Sequence, residues 1–215
     1  MVVNGKTLEK DKDYLVVASN NINFGNATLT INGKGNYNGV INSSFYIAKA
    51  ALSDVVIESI STQNYTGSEI TPIPNITYNT RPLVYGTDFE CIYENNVNVG
   101  TATIIIMGKG NFDGREEITF EIGSLVIGSF TLGNTSFVYD TTEKFPGIIV
   151  KNGTTILTQD VDYTVAGDVS ATNVGNYTIT ITGMGGYSGT KTANWAITVR
   201  SISDCTINLD EDTFT

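Results

Sequence analysis

The chain of 215 residues contains no histidine, which removes Ser-His and Cys-His catalytic couples, an imidazole general base and an ordinary catalytic zinc site. Only two cysteines occur, Cys91 and Cys205, too few for a disulfide framework. Lysine and arginine number 12 against 22 acidic residues, a formal charge of −10, so a phosphate backbone is repelled and nucleic acid is not an expected partner. No apolar run is long enough to cross a membrane, and the start, Met1-Val2-Val3-Asn4-Gly5-Lys6, has no basic region leading into an apolar core. Neither membrane insertion nor a signal peptide is expected. Charged residues make up only 16% of the chain. Gly, Asn, Thr and Tyr are abundant instead, a composition suited to short strands joined by tight turns, and no segment carries a sustained helical period.

What is present is repetition. Asn32-Gly33-Lys34-Gly35-Asn36-Tyr37-Asn38-Gly39 returns as Met107-Gly108-Lys109-Gly110-Asn111-Phe112-Asp113-Gly114 and again as Thr182-Gly183-Met184-Gly185-Gly186-Tyr187-Ser188-Gly189, each 75 residues after the last. The same period links Gly25, Gly100 and Gly175, then Phe45, Phe120 and Trp195, then Ile47, Ile122 and Ile197. Upstream, Asp13-Tyr14, Asp88-Phe89 and Asp162-Tyr163 correspond, the last pair displaced by a one-residue insertion. Openings at Leu52-Ser53-Asp54, Ile127-Gly128-Ser129 and Ile202-Ser203-Asp204 each lead toward an aromatic, Tyr65, Tyr139 or Phe214. This register divides the chain into a partial repeat at 1–50 lacking its opening strand, complete repeats at 51–123 and 124–199, and an opening strand at 200–215. Linkers of a few residues leave neighbouring modules little freedom, so a stiff rod is expected.

Ala27-Thr28-Leu29-Thr30-Ile31, Ala102-Thr103-Ile104-Ile105-Ile106 and Tyr177-Thr178-Ile179-Thr180-Ile181 alternate apolar and polar residues, or nearly so. That pattern turns one set of side chains inward from a strand. The glycines that follow suit a tight reversal, predicting a hairpin with the strand ending at Phe45, Phe120 or Trp195. Six or seven such strands in about 75 residues can close a small sandwich with a modest core. The cysteines stand where sister repeats carry plain hydrophobes, Cys91 with Val16 and Val165, Cys205 with Val55 and Phe130. Both are therefore expected to be buried free thiols.

The run Tyr65-Thr66-Gly67-Ser68-Glu69-Ile70-Thr71-Pro72, then Gly86-Thr87-Asp88-Phe89, Asn96-Val97-Asn98-Val99-Gly100-Thr101-Ala102-Thr103 and Gly108 to Gly114, resembles the tandem bacterial Ig-like repeats, of the Big and MBG groupings, of large surface proteins. Similar modules occur in phage virion proteins. The resemblance covers practically the whole chain, and the third repeat departs from it, with Asp140-Thr141-Thr142 in place of Tyr-Thr-Gly and Met184 in place of the turn lysine. It implies Ig-like β-sandwiches used as a stalk, spacer or adhesive unit of a bacterial cell-surface protein, extracellular in location, with no enzymatic activity and no cofactor. Its alternatives are a virion fibre or decoration protein and accessory modules of a secreted carbohydrate-active enzyme.

Residues with chemical potential also have structural uses. The Gly-x-Gly segments run from strand to strand without a following Lys-Ser or Lys-Thr, so they read as turns and not as phosphate loops. The acidic pairs Asp11/Asp13, Asp160/Asp162 and Asp210/Asp212 have calcium-like spacing. Asp13, Asp88 and Asp162, however, recur before an aromatic, as Asx-type turns do, and no metal site is expected. An internal isopeptide bond is not expected either, because no lysine with an acidic partner recurs in all three registers. Most aromatics recur and read as core.

Three residues of the middle repeat break that rule. Tyr85 replaces Lys10 and Gln159, Tyr93 replaces Ala18 and Gly167, and Ile105 replaces Thr30 and Thr180. Polar or small residues in the sister copies predict solvent-facing positions, so Tyr85, Tyr93 and Ile105 form the candidate contact patch for a surface glycan or protein ligand.

Repeats interrupted at both ends suggest a window cut from a longer array. Alternatively, the opening strand at 200–215 completes the head of another copy, a head-to-tail self-association by strand addition. In that register Thr215 corresponds to Asp140 and Met1 to about Ile76.

Overall fold

A computed structural model describes residues 1–204 and Thr206. The described chain is all-β, its strands assembled into several small sheets, with single 3-10 turns at Leu52–Asp54 and Ile202–Asp204. Among the described residues no helix is long and apolar enough to cross a membrane. Two compact units are present. The first holds Met1–Ser61, Thr71–Asn96 and Thr101–Phe120, and the second holds Thr62–Ile70, Val97–Gly100 and the chain from Glu121 onward. The expected opening strand at 200–215, with Cys205 and Phe214, falls largely outside the described residues.

In the second unit, Tyr163–Gly167, Gly175–Gly183 and Thr190–Thr198 form an antiparallel meander, and Ser136–Val138 adds in parallel to Thr190–Thr198 at its edge. Alternation along Gly175–Gly183 sends Ile179 and Ile181 to a fully buried face, while Thr178 and Thr182 bond side chains on neighbouring strands, Asn194 and Thr190. A second sheet, Ser129–Leu132, Ile148–Asn152 and Thr155–Ile156, supplies the opposite wall. Ile127, Val150, Leu157, Tyr163 and Ile181 form one core cluster, with Phe130 and Tyr187 packed against it. Ile179, Trp195 and Ile197 form another, against Phe137 and Tyr177. The Trp195 indole N–H donates to the Asp168 carbonyl at 2.8 Å, which satisfies the one polar atom of that ring. The segment from Ile127 to Tyr139 contributes to both walls. It crosses between sheets at Gly133, where the Gly133 and Asn134 N–H groups donate to Gly147 and Pro146 carbonyls.

The first unit contains the equivalent meander Tyr14–Ser19, Gly25–Gly33 and Val40–Ile47, and a separate hairpin, Val2–Val3 with Lys6–Thr7. It also contains the sheet of Val56–Ile57, Ile76–Tyr78 and Arg81–Pro82, and most of the strands Phe89–Glu94, Gly100–Gly108 and Arg115–Gly123. The last of these ends in the second unit, where Ile122 and Gly123 pair in parallel with Gln63 and Asn64.

Glycine in the recurring turn is required at two places. A Cβ on Gly33, Gly108 or Gly183 would lie 2.8, 2.8 or 2.7 Å from backbone atoms of Asn38, Asp113 or Ser188. Gly35, Gly110 and Gly185 follow with φ of 63°, 58° and 61°, a region costly for side chains with a Cβ. The Gly-x-Gly segments are therefore turns whose strands approach too closely for any other residue.

Each linker adds a short parallel strand to a turn. In the first unit Ala50–Ala51 pairs in parallel with Phe112–Asp113, and in the second Leu125–Val126 pairs in parallel with Tyr187–Ser188. Beside the first of these joints Asn111 accepts the Phe24 N–H at 2.9 Å and donates to the Asn23 side chain at 3.0 Å. Gly186 takes the equivalent place at the second joint, and the Tyr65 ring lies so close that a Cβ there would overlap it. The same ring meets Tyr187 edge-on at 6.1 Å. Restoring the sister residue with Gly186→Asn is expected to displace Tyr65 and cost about 1–3 kcal/mol, read as a lowered urea midpoint; an unchanged midpoint would show that Tyr65 contributes nothing to the joint.

Candidate functional site

The positions Tyr85, Tyr93 and Ile105 do not converge. Phe89–Glu94 pairs with Gly100–Gly108 in a register that sets Tyr93 opposite Ile104 and Ile92 opposite Ile105. Because side chains alternate faces along a strand, Tyr93 shares the inner face with the fully buried Ile104, while Ile105 shares the outer face with Ile92. Tyr85 is 46% exposed, as expected, and meets Phe89 edge-on at 5.7 Å.

Ile105 is on the outward face predicted for it, yet it is only 7% exposed, which corrects the expectation of a solvent contact. It occupies a central strand with a neighbour on each side, directly opposite the exposed Ile92. Tyr93 is half-buried, a second correction. Its sister positions Ala18 and Gly167 are both exposed, so burial here is particular to the middle repeat. The Tyr93 hydroxyl donates to the Pro72 carbonyl at 3.0 Å.

Burial pushes the Tyr93 phenol up from its usual 10.0 to about 12, with the adjacent Cys91 and then Tyr85 adding to the effect. Burial likewise raises the Cys91 thiol, partly opposed by a hydrogen bond with Tyr93. Cys91 is a free, half-buried thiol. A thiol held protonated in this way is a poor nucleophile.

The recurring aspartates are used by the backbone. Asp13, Asp88 and Asp162 each accept the N–H of the residue four positions earlier, Glu9, Val84 and Thr158, at 3.0, 3.0 and 2.7 Å. Asp88 is buried and also accepts from Arg81 at 2.9 Å. In the third repeat Asp140 takes over the opening turn. It accepts the Thr142 N–H and hydroxyl and the Lys144 ammonium, contacts that hold its carboxyl well below the usual range. Among the described residues no three His, Cys, Asp or Glu side chains stand close enough to share a metal ion.

Some exposed apolar residues stand where the sister positions are core. Phe45 is 41% exposed, whereas Phe120 and Trp195 at the equivalent positions are 3% and 2% exposed. Beside the same meander Met1, Leu8, Tyr14, Ile31, Tyr37 and Ile41 line a hollow of about 320 Å³.

The raised phenol has a defined pH signature. A group whose folded pKa lies above its unfolded value stabilises the fold fully below the unfolded value, here 10.0, and that contribution is lost as pH climbs toward about 12. Tyrosinate absorbance of the wild type minus Tyr93→Phe is expected to show one phenol titrating near 12. A difference titration centred at 10 contradicts the burial of that hydroxyl.

No protein-family model and no curated protein sequence matches the chain.

Proposed function

We propose that this chain is a run of tandem Ig-like sandwich modules serving as a non-enzymatic stalk or spacer, with adhesive capacity, in a bacterial cell-surface protein. The observation that carries the proposal is the pairing of end strands. Ser136–Val138, near the start of the third repeat, runs parallel to Thr190–Thr198 at its end, and Gln63–Asn64 is paired in the same sense with Ile122–Gly123. When such a module is pulled by its two ends, parallel terminal strands slide past one another. Their hydrogen bonds, among them Tyr139 N–H to Thr198 O and Ala196 N–H to Thr135 O, both 3.0 Å, are then loaded together rather than opened one at a time. Forced unfolding is governed by that barrier, so the arrangement suits a tether under tension. The linkers favour the same reading, since each is itself a strand in the next joint.

The structural use of the recurring carboxylates supports a role without catalysis, because each is held in place by a backbone N–H of its own turn. Any glycan or protein ligand is met by exposed side chains such as Tyr85. It is not met by a convergent patch of Tyr85, Tyr93 and Ile105.

Two measurements address the proposal. Pulled from its termini by force spectroscopy, the chain is expected to unfold in discrete events whose contour gains match modules of roughly 75 residues; smooth extension without discrete events removes the mechanical argument. Antibody raised against the chain is expected to label intact source cells, and labelling seen only after lysis rules out the surface location.

A further inference from the structure

We propose that a hollow of the middle repeat, lined by Glu58, Asn75 and Tyr85, binds a lysine side chain presented by a partner protein. The inference names a ligand chemistry for Tyr85 and holds whether or not the protein stands on a cell surface.

The hollow lies within the first unit and has a volume of about 310 Å³. Ligand sites begin at about this size, which gives room for one side chain and not for a folded segment. Its lining is mostly carbon. Ile76, Leu83 and Phe89 are buried core residues, Pro74 and Pro82 add rigid apolar surface, and the half-exposed Tyr85 ring meets Phe89 edge-on.

One polar pair interrupts that lining. Val56 pairs with Thr77 and Ile57 with Ile76, and the Glu58 N–H continues the ladder to the Asn75 carbonyl at 3.0 Å. The Asn75 amide in turn donates to the Glu58 carboxylate at 3.1 Å. Backbone and side chain therefore hold the same two residues together, and the carboxylate keeps lone pairs for a further donor. Among the described residues Glu58 has no ion-pair partner. Arg81, adjacent to Pro82, is engaged by Asp88 at 2.9 Å.

The balance of donors and acceptors selects the ligand. Pro74 and Pro82 have no N–H to offer, and the fixed charge is negative. An anionic ligand would lack donors here and would meet Glu58 on a chain of formal charge −10. A lysine ammonium has three donors and no acceptor, and its four-carbon stem matches the apolar lining. The face of the Tyr85 ring adds cation–π attraction. A free amine would leave the rim bare: Ile73 and Val84 are 54% and 56% exposed beside the hollow, apolar surface for the residues that flank a lysine in a polypeptide.

These groups are not demanded by the fold. Phe130 pairs with Val150 as Ile57 pairs with Ile76, which sets Thr131 and Ile149 in the places of Glu58 and Asn75, and Gln159 stands in the place of Tyr85. The third repeat builds the same sheet with neither the carboxylate nor the ring.

The full chain is titrated with a blocked valine-lysine-valine peptide and followed by amide chemical shifts. Saturable shifts at Ile73, Val84 and Tyr85 are expected, with a dissociation constant of roughly 1 mM. The same peptide with norleucine, which has a hydrocarbon stem and no ammonium, is expected to bind at least about tenfold more weakly. Glu58→Gln, at an exposed residue and with an unchanged circular dichroism spectrum, is expected to weaken the lysine peptide by about as much. Glu94→Gln, at an exposed carboxylate outside the hollow, is expected to leave its affinity unchanged. The proposal is overturned if the wild type does not saturate, if the norleucine peptide binds equally well, or if Glu58→Gln matches the wild type. An equal loss in Glu94→Gln reduces the effect to diffuse attraction by an acidic chain. Pentylammonium binding as tightly as the peptide removes the partner protein as the occupant.

Discussion

The closure of each sandwich depends on one aliphatic side chain, Leu52 or Ile127, buried in the hollow between two small sheets. Sheets of two or three short strands are marginal in water, and a module of this size has little apolar area to spare. The segment that carries the plug also supplies a strand to one sheet and then crosses to the other, so its docking joins both walls at once. In the third repeat Ile127, Phe130, Leu132 and Phe137 all come from this segment. Where residues 1–50 present the same meander without it, Phe45 and Ile41 stand exposed.

Carboxylates make up most of the charge, and the recurring ones are assigned to backbone donors. Asp13, Asp88 and Asp162 fix the turn that aims Tyr14, Phe89 and Tyr163 into the core side of their strands. Asp140 substitutes a capped turn for the Tyr65-Thr66-Gly67 sequence, with a strand on either side as in the middle repeat. Acidity in this protein is therefore chiefly a property of its turns and its solvated surface, where exposed pairs such as Lys12–Glu9 contribute little to stability.

Much of the fold was legible because strand periodicity and turn chemistry are local. The nine-residue strands Gly25–Gly33, Gly100–Gly108 and Gly175–Gly183 and the glycines at their ends followed from alternation and from the need for positive φ. The contact patch was less legible, because exposure was inferred from residue types in sister copies. A threonine at Thr30 and Thr180 correctly marked the outer face for Ile105. It could not reveal that Ile105 itself is buried. Ala18 and Gly167 do stand exposed, so the sister copies gave no sign that the Tyr93 hydroxyl would reach the Pro72 carbonyl. Gly186 was read as a turn residue, whereas its backbone does not require glycine and the Tyr65 ring does. Each error concerns a non-local neighbour, which one position in one copy does not encode.

The Tyr177–Trp195 pair has a consequence for how such a chain reaches its native state. These residues are directly opposite across two strands, with ring centroids 4.7 Å apart, while the equivalent partners in the first repeat are Ala27 and Phe45. Hairpins of identical register on one polypeptide compete for each other's strands during folding, and exchange between near-identical neighbours is a common way for repeat proteins to misfold. A strand carrying Tyr177 set against one carrying Phe45, or one carrying Ala27 set against Trp195, has the wrong combined volume for either interior. Divergence at this cross-strand position gives strands of the third repeat a reason to reject partners from the first, whereas the middle repeat carries Ala102 and Phe120, the same pair of residue types as the first.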